Sequence, residues 1–187
     1  VAVDHLSTID NDKLTAFCLD KIHKSIYYTE YQDPQSGFLD LSSPELIELI
    51  SVIETKANEL FLRTGFNPAY YLKVARAWAN LNNPSETRIP HQHHQTMFSC
   101  VYYVSGNEAS GSIRLMNPVQ SKEQVLLPAH IKDHNQFTSS EWSYSPIPGR
   151  LVMFPGWIYH YVENNHSNQD RISIAFDTVL VEHQLNN

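Results

Sequence analysis

The sequence predicts a mainly β fold, a jelly roll or related double-sheet barrel, buttressed by helices near its N-terminus. Three observations lead there. From residue 73 to residue 182 the chain carries short runs rich in β-branched and aromatic residues, separated by Gly, Asn, Pro and Ser. Residues 1–72 carry helical rather than alternating periodicity. Neither an internal repeat nor a low-complexity segment divides the 187 residues, so one domain over 1–187 is expected, with a helical layer (1–72) on a β core (73–182).

The opening "VAVDHLSTIDNDKL" has no basic flank followed by an apolar stretch and does not read as a secretory signal. "NDKLTAFCLDKIHK" sets Leu14, Phe17, Cys18 and Ile22 at helical spacing, with Asp10 or Asn11 as cap. In "SSPELIELISVIETKANELFLRTG", Ser43 suits a cap, Pro44 the first helical position and Gly65 the exit. Leu46, Ile50, Ile53, Ala57 and Leu60 form its apolar stripe, a core-packing face. Strands are expected in "KVARAWANLN", "FSCVYYVS", "SIRLM", "RLVMF", "IYHYVE" and "RISIAFDTVLV". The weakly patterned stretch from Pro118 to Pro148 is expected to hold a small hairpin and to loop over a site mouth, with Trp142 and Tyr144 either closing over a substrate or packing on the sheet.

Composition narrows the function. With 42% apolar and 18% charged residues the chain is globular, and a net charge of −7 without any basic run opposes binding to nucleic acid. Cys18 and Cys100 stand far apart without a CxxC, which suits reduced thiols in a cytoplasmic setting rather than a disulfide scaffold. No apolar run reaches the length of a membrane span, so no membrane partner is expected.

The chemistry concentrates in "IPHQHHQTMFSCVYYVSG". Residues two apart on a strand face the same way, so His91 and His93 point together while His94 faces away. Two imidazoles converging in this way can chelate a divalent metal, with nitrogen ligands at about 2.0–2.1 Å for zinc. His160 lies in a second strand-like segment after a Pro155-Gly156 turn, and Arg171 follows eleven residues later. Arg171, Ser173 and Ala175 share one face of their strand; Ile172, Ile174 and Phe176 share the other. An unpaired buried guanidinium costs several kcal/mol, so the arginine face meets either water, a nearby acid such as Asp170 or Asp177, or an anion that matches its planar fork. His130, His134 and His166 fall in turn-rich stretches and are expected to be exposed; nothing marks out His5, His23 or His183.

HxH, a later histidine and an arginine eleven residues beyond it resemble the iron(II)- and 2-oxoglutarate-dependent oxygenases of the double-stranded β-helix (jelly-roll, cupin-like) fold. The run "SCVYYVSGNEASGSIRL" resembles their prolyl-4-hydroxylase-like branch. "WANLN", "HQH", "SCVYYV", Asn117-Pro118 and "DRISIAF" resemble more closely a group of oxygenases from marine bacteria and their phages, over roughly residues 74 to 180. The resemblance implies His91 and His160 as metal ligands, and Arg171 with Ser173 as the grip on the far carboxylate of 2-oxoglutarate. Most of the superfamily has Asp or Glu where this chain has His93. A three-histidine site, a two-histidine site completed by water or an anion, and a site that has lost iron all remain open. The closer group also carries HxH, which favours His93 as a ligand. A neutral third ligand leaves more positive charge on the ion and discriminates less between iron, zinc and copper.

The cofactors so implied are Fe(II), 2-oxoglutarate and O2. The implied reaction is hydroxylation of a small-molecule or peptide substrate, such as a peptidyl or free amino-acid side chain, proline included. Tyr103 or Tyr102 is expected to donate to the cosubstrate, strand parity deciding which. Asn80 and Trp78 share a face near the pocket, Trp78 being expected in the core. The expected location is the cytoplasm, or that of an infected cell for a phage gene. Edge strands of such folds often pair, so a homodimer is an expectation as well. An alternative is a cupin-like metalloprotein (isomerase, dioxygenase or sugar-binding module) that does not use 2-oxoglutarate. "GRLVMFPGWIYHYVEN" comes close to the second cupin motif, with the glycine displaced to follow Pro155, but Met97 and Phe98 stand where the first motif needs Glu. A third reading is a β-sandwich binding module with solvated histidines.

Overall fold

The computed structural model describes residues 1–24, 36–119, 128–135 and 138–183. The elements run β1 (Ala2–His5), α1 (Asn11–Lys24), β2 (Ser36–Phe38), α2 (Ile47–Arg63), β3 (Tyr70–Asn82), β4 (Arg88–His91) and β5 (Phe98–Ser105). There follow β6 (Ile113–Met116), β7 (Glu141–Tyr144), β8 (Arg150–Pro155), β9 (His160–Val162) and β10 (Arg171–Glu182). Antiparallel pairing sorts the strands into a larger sheet, β1-β8-β5-β10-β3-β2, and a smaller one, β4-β9-β6-β7. This is the expected jelly-roll architecture, and each of the six expected strands is present.

Alternation on β10 divides the interior in two. Ile172, Ile174 and Phe176 join Leu14, Cys18, Leu49, Ile53 and Ala57 of the helices in the main core. Between the sheets a second, smaller cluster holds Tyr103, Val152 and Phe154 of the larger sheet against Ile113, Leu115 and Ile158. Cys18 and Cys100 are both buried and unbridged. An extra residue in β3 (Val74 pairs with Thr178, but Arg76 with Asp177) resets the alternation. Arg76, Trp78, Asn80 and Asn82 thereby all line the inner cavity.

Asp10 caps α1, its Oδ1 accepting from the Lys13 amide at 3.0 Å. Helix α2 begins later than its sequence suggests. The Leu46 amide bonds the Ser43 carbonyl in a tight turn at 2.9 Å, and the cap position falls on Leu46 without a side-chain bond. Ser43 and Pro44 therefore precede the helix. At its exit Gly65 has φ +87°, with its amide bonded to Leu62 and that of Phe66 to Phe61; the rings of Phe61 and Phe66 stack at 4.7 Å.

The N-terminal third is not wholly helical, since β1 and β2 pair with β8 and β3. Between Pro118 and Pro148 no hairpin closes on itself among the described residues; β7 pairs back onto β6. Residues 120–127 and 136–137 of that stretch lie outside the described residues. Trp142 and Tyr144 pack against the smaller cluster, and no described residue of the stretch lines the cavity.

Gly111 has φ +82°, and a Cβ there would collide with the Glu163 carbonyl. Gly111→Ala should cost roughly 2–4 kcal/mol of unfolding free energy in urea denaturation, from left-handed strain plus the clash.

Candidate metal centre

β4 is a short edge strand carrying Pro90, which donates nothing to a ladder, and it ends at His91. His93 therefore sits beyond the strand, in the turn that leads to β5. Its amide donates to the Gly156 carbonyl at 2.9 Å, and Gly156 leaves no room for a Cβ against the Thr96 carbonyl. The shared direction of His91 and His93 is thus set by this turn rather than by strand alternation. His160 opens β9 directly opposite His91 in the register. Ring centroids are 4.3 Å apart for His91 and His160, 5.1 Å for His93 and His160 and 5.3 Å for His91 and His93. One nitrogen from each ring lies within 4.8 Å of the others.

The remaining nitrogens are tied down. His91 Nδ1 lies 2.8 Å from the Ile89 carbonyl and His160 Nδ1 3.0 Å from the Ile158 carbonyl. A carbonyl only accepts, so both Nδ1 atoms carry the proton, and in the neutral rings Nε2 is left as a free lone pair. Burial, reinforced by neighbouring His91, lowers the His160 pKa to about 3; burial likewise lowers that of His91. Neutral imidazoles are the form that binds metal. His93 Nδ1 lies 2.7 Å from Asp177 Oδ1, whose other oxygen meets Arg76 Nη2 at 2.7 Å. Burial alone would raise the Asp177 pKa, but the hydrogen bond to His93 and the Arg76 guanidinium together hold it below the ordinary carboxylate range.

These groups share a cavity of about 620 Å³ whose far end is Arg171. Arg171 is 2% exposed. Nη1 donates to the Ser110 and Gly111 carbonyls at 3.0 and 2.8 Å, while Nε is buried without a partner. Burial lowers its pKa to about 10, which leaves it charged at neutral pH. Asn82, directly across the ladder, buries both its amide atoms without partners. Ser173, Asn80 and Tyr103 line the same space. Burial raises the Tyr103 pKa to about 12 against the pull of Arg171, so its phenol keeps its proton. The lining holds Arg76, Arg88 and Arg171 against Asp177, a positive cavity in an acidic protein. The unpartnered Nε of a buried guanidinium, with the Asn82 amide beside it, is the complement of a carboxylate.

Residues 76–177 match the model of a family described as "Putative 2OG-Fe(II) oxygenase". The chain belongs to the 2OG-Fe(II) oxygenase family. The family's description names iron(II) and 2-oxoglutarate, and both suit the oxygenase's three imidazoles and its arginine-ended cavity. Solved structures agree on the fold. The non-haem α-ketoglutarate-dependent epimerase SnoN from nogalamycin biosynthesis aligns with TM-score 0.65 at 12% identity, over 99% of this chain and 82% of that one. A Pseudomonas putida prolyl-4-hydroxylase aligns with TM-score 0.59 at 15% identity, over 95% and 86%. A 2OG-Fe(II) oxygenase-family oxidoreductase from Burkholderia pseudomallei aligns with TM-score 0.54 at 11% identity, over 77% of this chain but only 65% of its own length. No functionally curated protein matches the sequence.

Several expectations change in the oxygenase's structure. Tyr102 turns away from the cavity and donates to Asn11 Oδ1 of α1 at 2.7 Å, so strand parity selects Tyr103. Trp78 is not in the core: it lines the cavity and stacks on His93, with ring centroids 5.5 Å apart. His130, His134 and His166 are exposed as expected, and so is His94. The convergence of three histidines, one of them buried, displaces the reading in which they are merely solvated. Membership of the oxygenase family displaces the cupin-like alternative. Among the described residues no helix is long and apolar enough to cross a membrane. Sequence reading passed over Arg76 and Asn82, which continue the Trp78–Asn80 face, and weighed Asp177 only as a partner for Arg171, whereas it pairs with Arg76 and His93.

The depressed His160 pKa has a consequence for stability. The unfolded chain takes up this proton near pH 6.5 and the folded oxygenase only near 3, so between them the unfolded state binds more protons. The associated stability is complete above 6.5 and is lost as pH falls through that window, by up to about 1.4 kcal/mol per pH unit. Urea denaturation of the metal-free oxygenase at pH 7, 6 and 5 should show this slope, and His160→Gln should flatten it.

Proposed function

We propose that His91, His93 and His160 hold iron(II), and that Arg171 with Ser173 grips the far carboxylate of 2-oxoglutarate. In this reading the oxygenase hydroxylates an unidentified small-molecule or peptide substrate. The observation that carries it is the shared cavity: three imidazoles pinned through Nδ1 at one end, and a buried guanidinium with an unpartnered Nε at the other. Bound iron(II), 2-oxoglutarate and dioxygen would supply oxidative decarboxylation to succinate and carbon dioxide, coupled to hydroxylation of a C–H bond.

The chain's own part is to bind, orient and exclude water. The Ile89 and Ile158 carbonyls and Asp177 fix ring orientation at the three histidines. Arg171 supplies a charge that burial keeps out of water's screening, and Asn82 adds an amide beside it. Asn80 and the protonated Tyr103 offer further polar contacts to the cosubstrate, while Val101, Ile113 and Val162 make the wall apolar. Phe38 and Ile89, 64% and 78% exposed, stand at the same cavity and form an apolar entrance for the substrate. A peptidyl or free amino-acid side chain, proline included, is the candidate class. The prolyl-4-hydroxylase among the structural neighbours supports it by likeness of fold. The helical layer and the β core act as one domain in the cytoplasm.

Anaerobic titration of the metal-free oxygenase with ferrous iron and then 2-oxoglutarate tests the reading. A visible metal-to-ligand charge-transfer band should need both components and vanish in His160→Ala; iron binding without the band would sink the cosubstrate assignment. Arg171→Ala should weaken 2-oxoglutarate binding by roughly 10- to 100-fold, the loss of about 1.5–3 kcal/mol for a charged hydrogen bond, while iron stoichiometry stays at that of the unmodified protein.

A further inference from the structure

The chain has no carboxylate at the position two residues after His91, yet it buries one beside that position. Asp177 is 1% exposed and lies on the cavity face of β10 with Arg171, Ser173 and Ala175. It reaches His93 Nδ1 at 2.7 Å. The three histidines are not held alike: His91 and His160 lean on neutral backbone carbonyls, and His93 alone leans on a full negative charge. Arg76, set opposite Asp177 by the β3 bulge, occupies the second carboxylate oxygen at 2.7 Å and leaves the first directed at the ring. Trp78 stacks on the face of that ring, so His93 is held both at its edge and on its face.

We propose that Asp177 is a positioning residue standing in for the missing ligand carboxylate. It accepts a hydrogen bond from His93 Nδ1–H, fixes the tautomer that leaves Nε2 free, and lends the ring negative charge that strengthens it as a donor. The negative charge usual in such a triad is thus kept, moved outward by one side chain. A carboxylate behind a ligating histidine typically changes metal affinity by about 10- to 100-fold. The inference rests on His93 being a ligand.

Iron(II) affinity measured anaerobically for the full chain and for Asp177→Asn, His93→Ala, the double variant and Arg76→Met separates the possibilities. Asp177→Asn keeps the shape but not the charge, and should weaken iron by about 10- to 100-fold. On the His93→Ala background it should add little, because its effect passes through that ring. Arg76→Met removes a support of Asp177 but keeps its charge beside His93, and should weaken iron less than Asp177→Asn does; an equal or larger loss there would make Asp177 only an anchor for Arg76 and overturn the proposal. Loss in His93→Ala without loss in Asp177→Asn would overturn the proposal and leave the three-histidine reading intact. No loss in His93→Ala would overturn both. Long-range proton–nitrogen NMR of the unmutated, zinc-loaded protein decides independently of whether a variant folds. A proton on His93 Nδ1 is expected, and one on Nε2 would overturn the proposal.

Discussion

Burial of both faces of β10 is the constraint from which most of this structure follows. A strand paired on each side, with apolar side chains on one face and Arg171, Ser173 and Asp177 on the other, needs two different environments at once. The apolar face draws α1 and α2 onto the larger sheet. The polar face needs a second sheet far enough away to leave space, and the cavity is that space. A register slip of one residue would send Arg171 into the helix-lined core and Ile172 into the cavity, so the pairing with β3 and β5 carries the site as well as the fold.

The electrostatics reverse between surface and interior. An overall charge of −7 gives no hint of a cavity whose walls carry three guanidiniums against one carboxylate. The arrangement is stable because each charge is met locally. Asp177 has Arg76 and His93, and Arg171 has two backbone carbonyls. What remains unmet, the Arg171 Nε and the Asn82 amide, lies directly across one ladder. Buried donors left open in this way cost free energy unless a guest closes them, so the cavity is better satisfied filled than empty.

The sequence was legible wherever a pattern is local. The longer strands carry their own alternation, and HxH, His160, Arg171 and Ser173 stand out because such residues are costly in a strand without a purpose. Legibility failed where meaning depends on what lies across a ladder. Tyr102 and Tyr103 are adjacent, and only the position of β5 beside β10 says that Tyr103 faces inward. Trp78 was expected in the core and Asn82 went unread because only the β3 bulge sets their phase, and Asp177 gains its role from Arg76 across the ladder and from His93. The short strands β1, β2, β4 and β7 offer too few residues for an alternation to show. The start of α2 depended on a backbone turn at Ser43 that the capping residues disguised.

The open side of β3 bears on how copies of this protein can meet. Beyond the stretch covered by β2, the Leu72 amide and carbonyl are taken by Asn58 at 2.7 and 2.9 Å, and the Val74 amide by Glu54 at 3.0 Å. Side chains of α2 thus occupy the ladder positions that a further strand would use. At Leu72 and Val74 the edge is blocked to strand addition without spending another strand on it. Self-association through a continuous intermolecular sheet would have to displace Asn58 and Glu54 from this part of the longest strand.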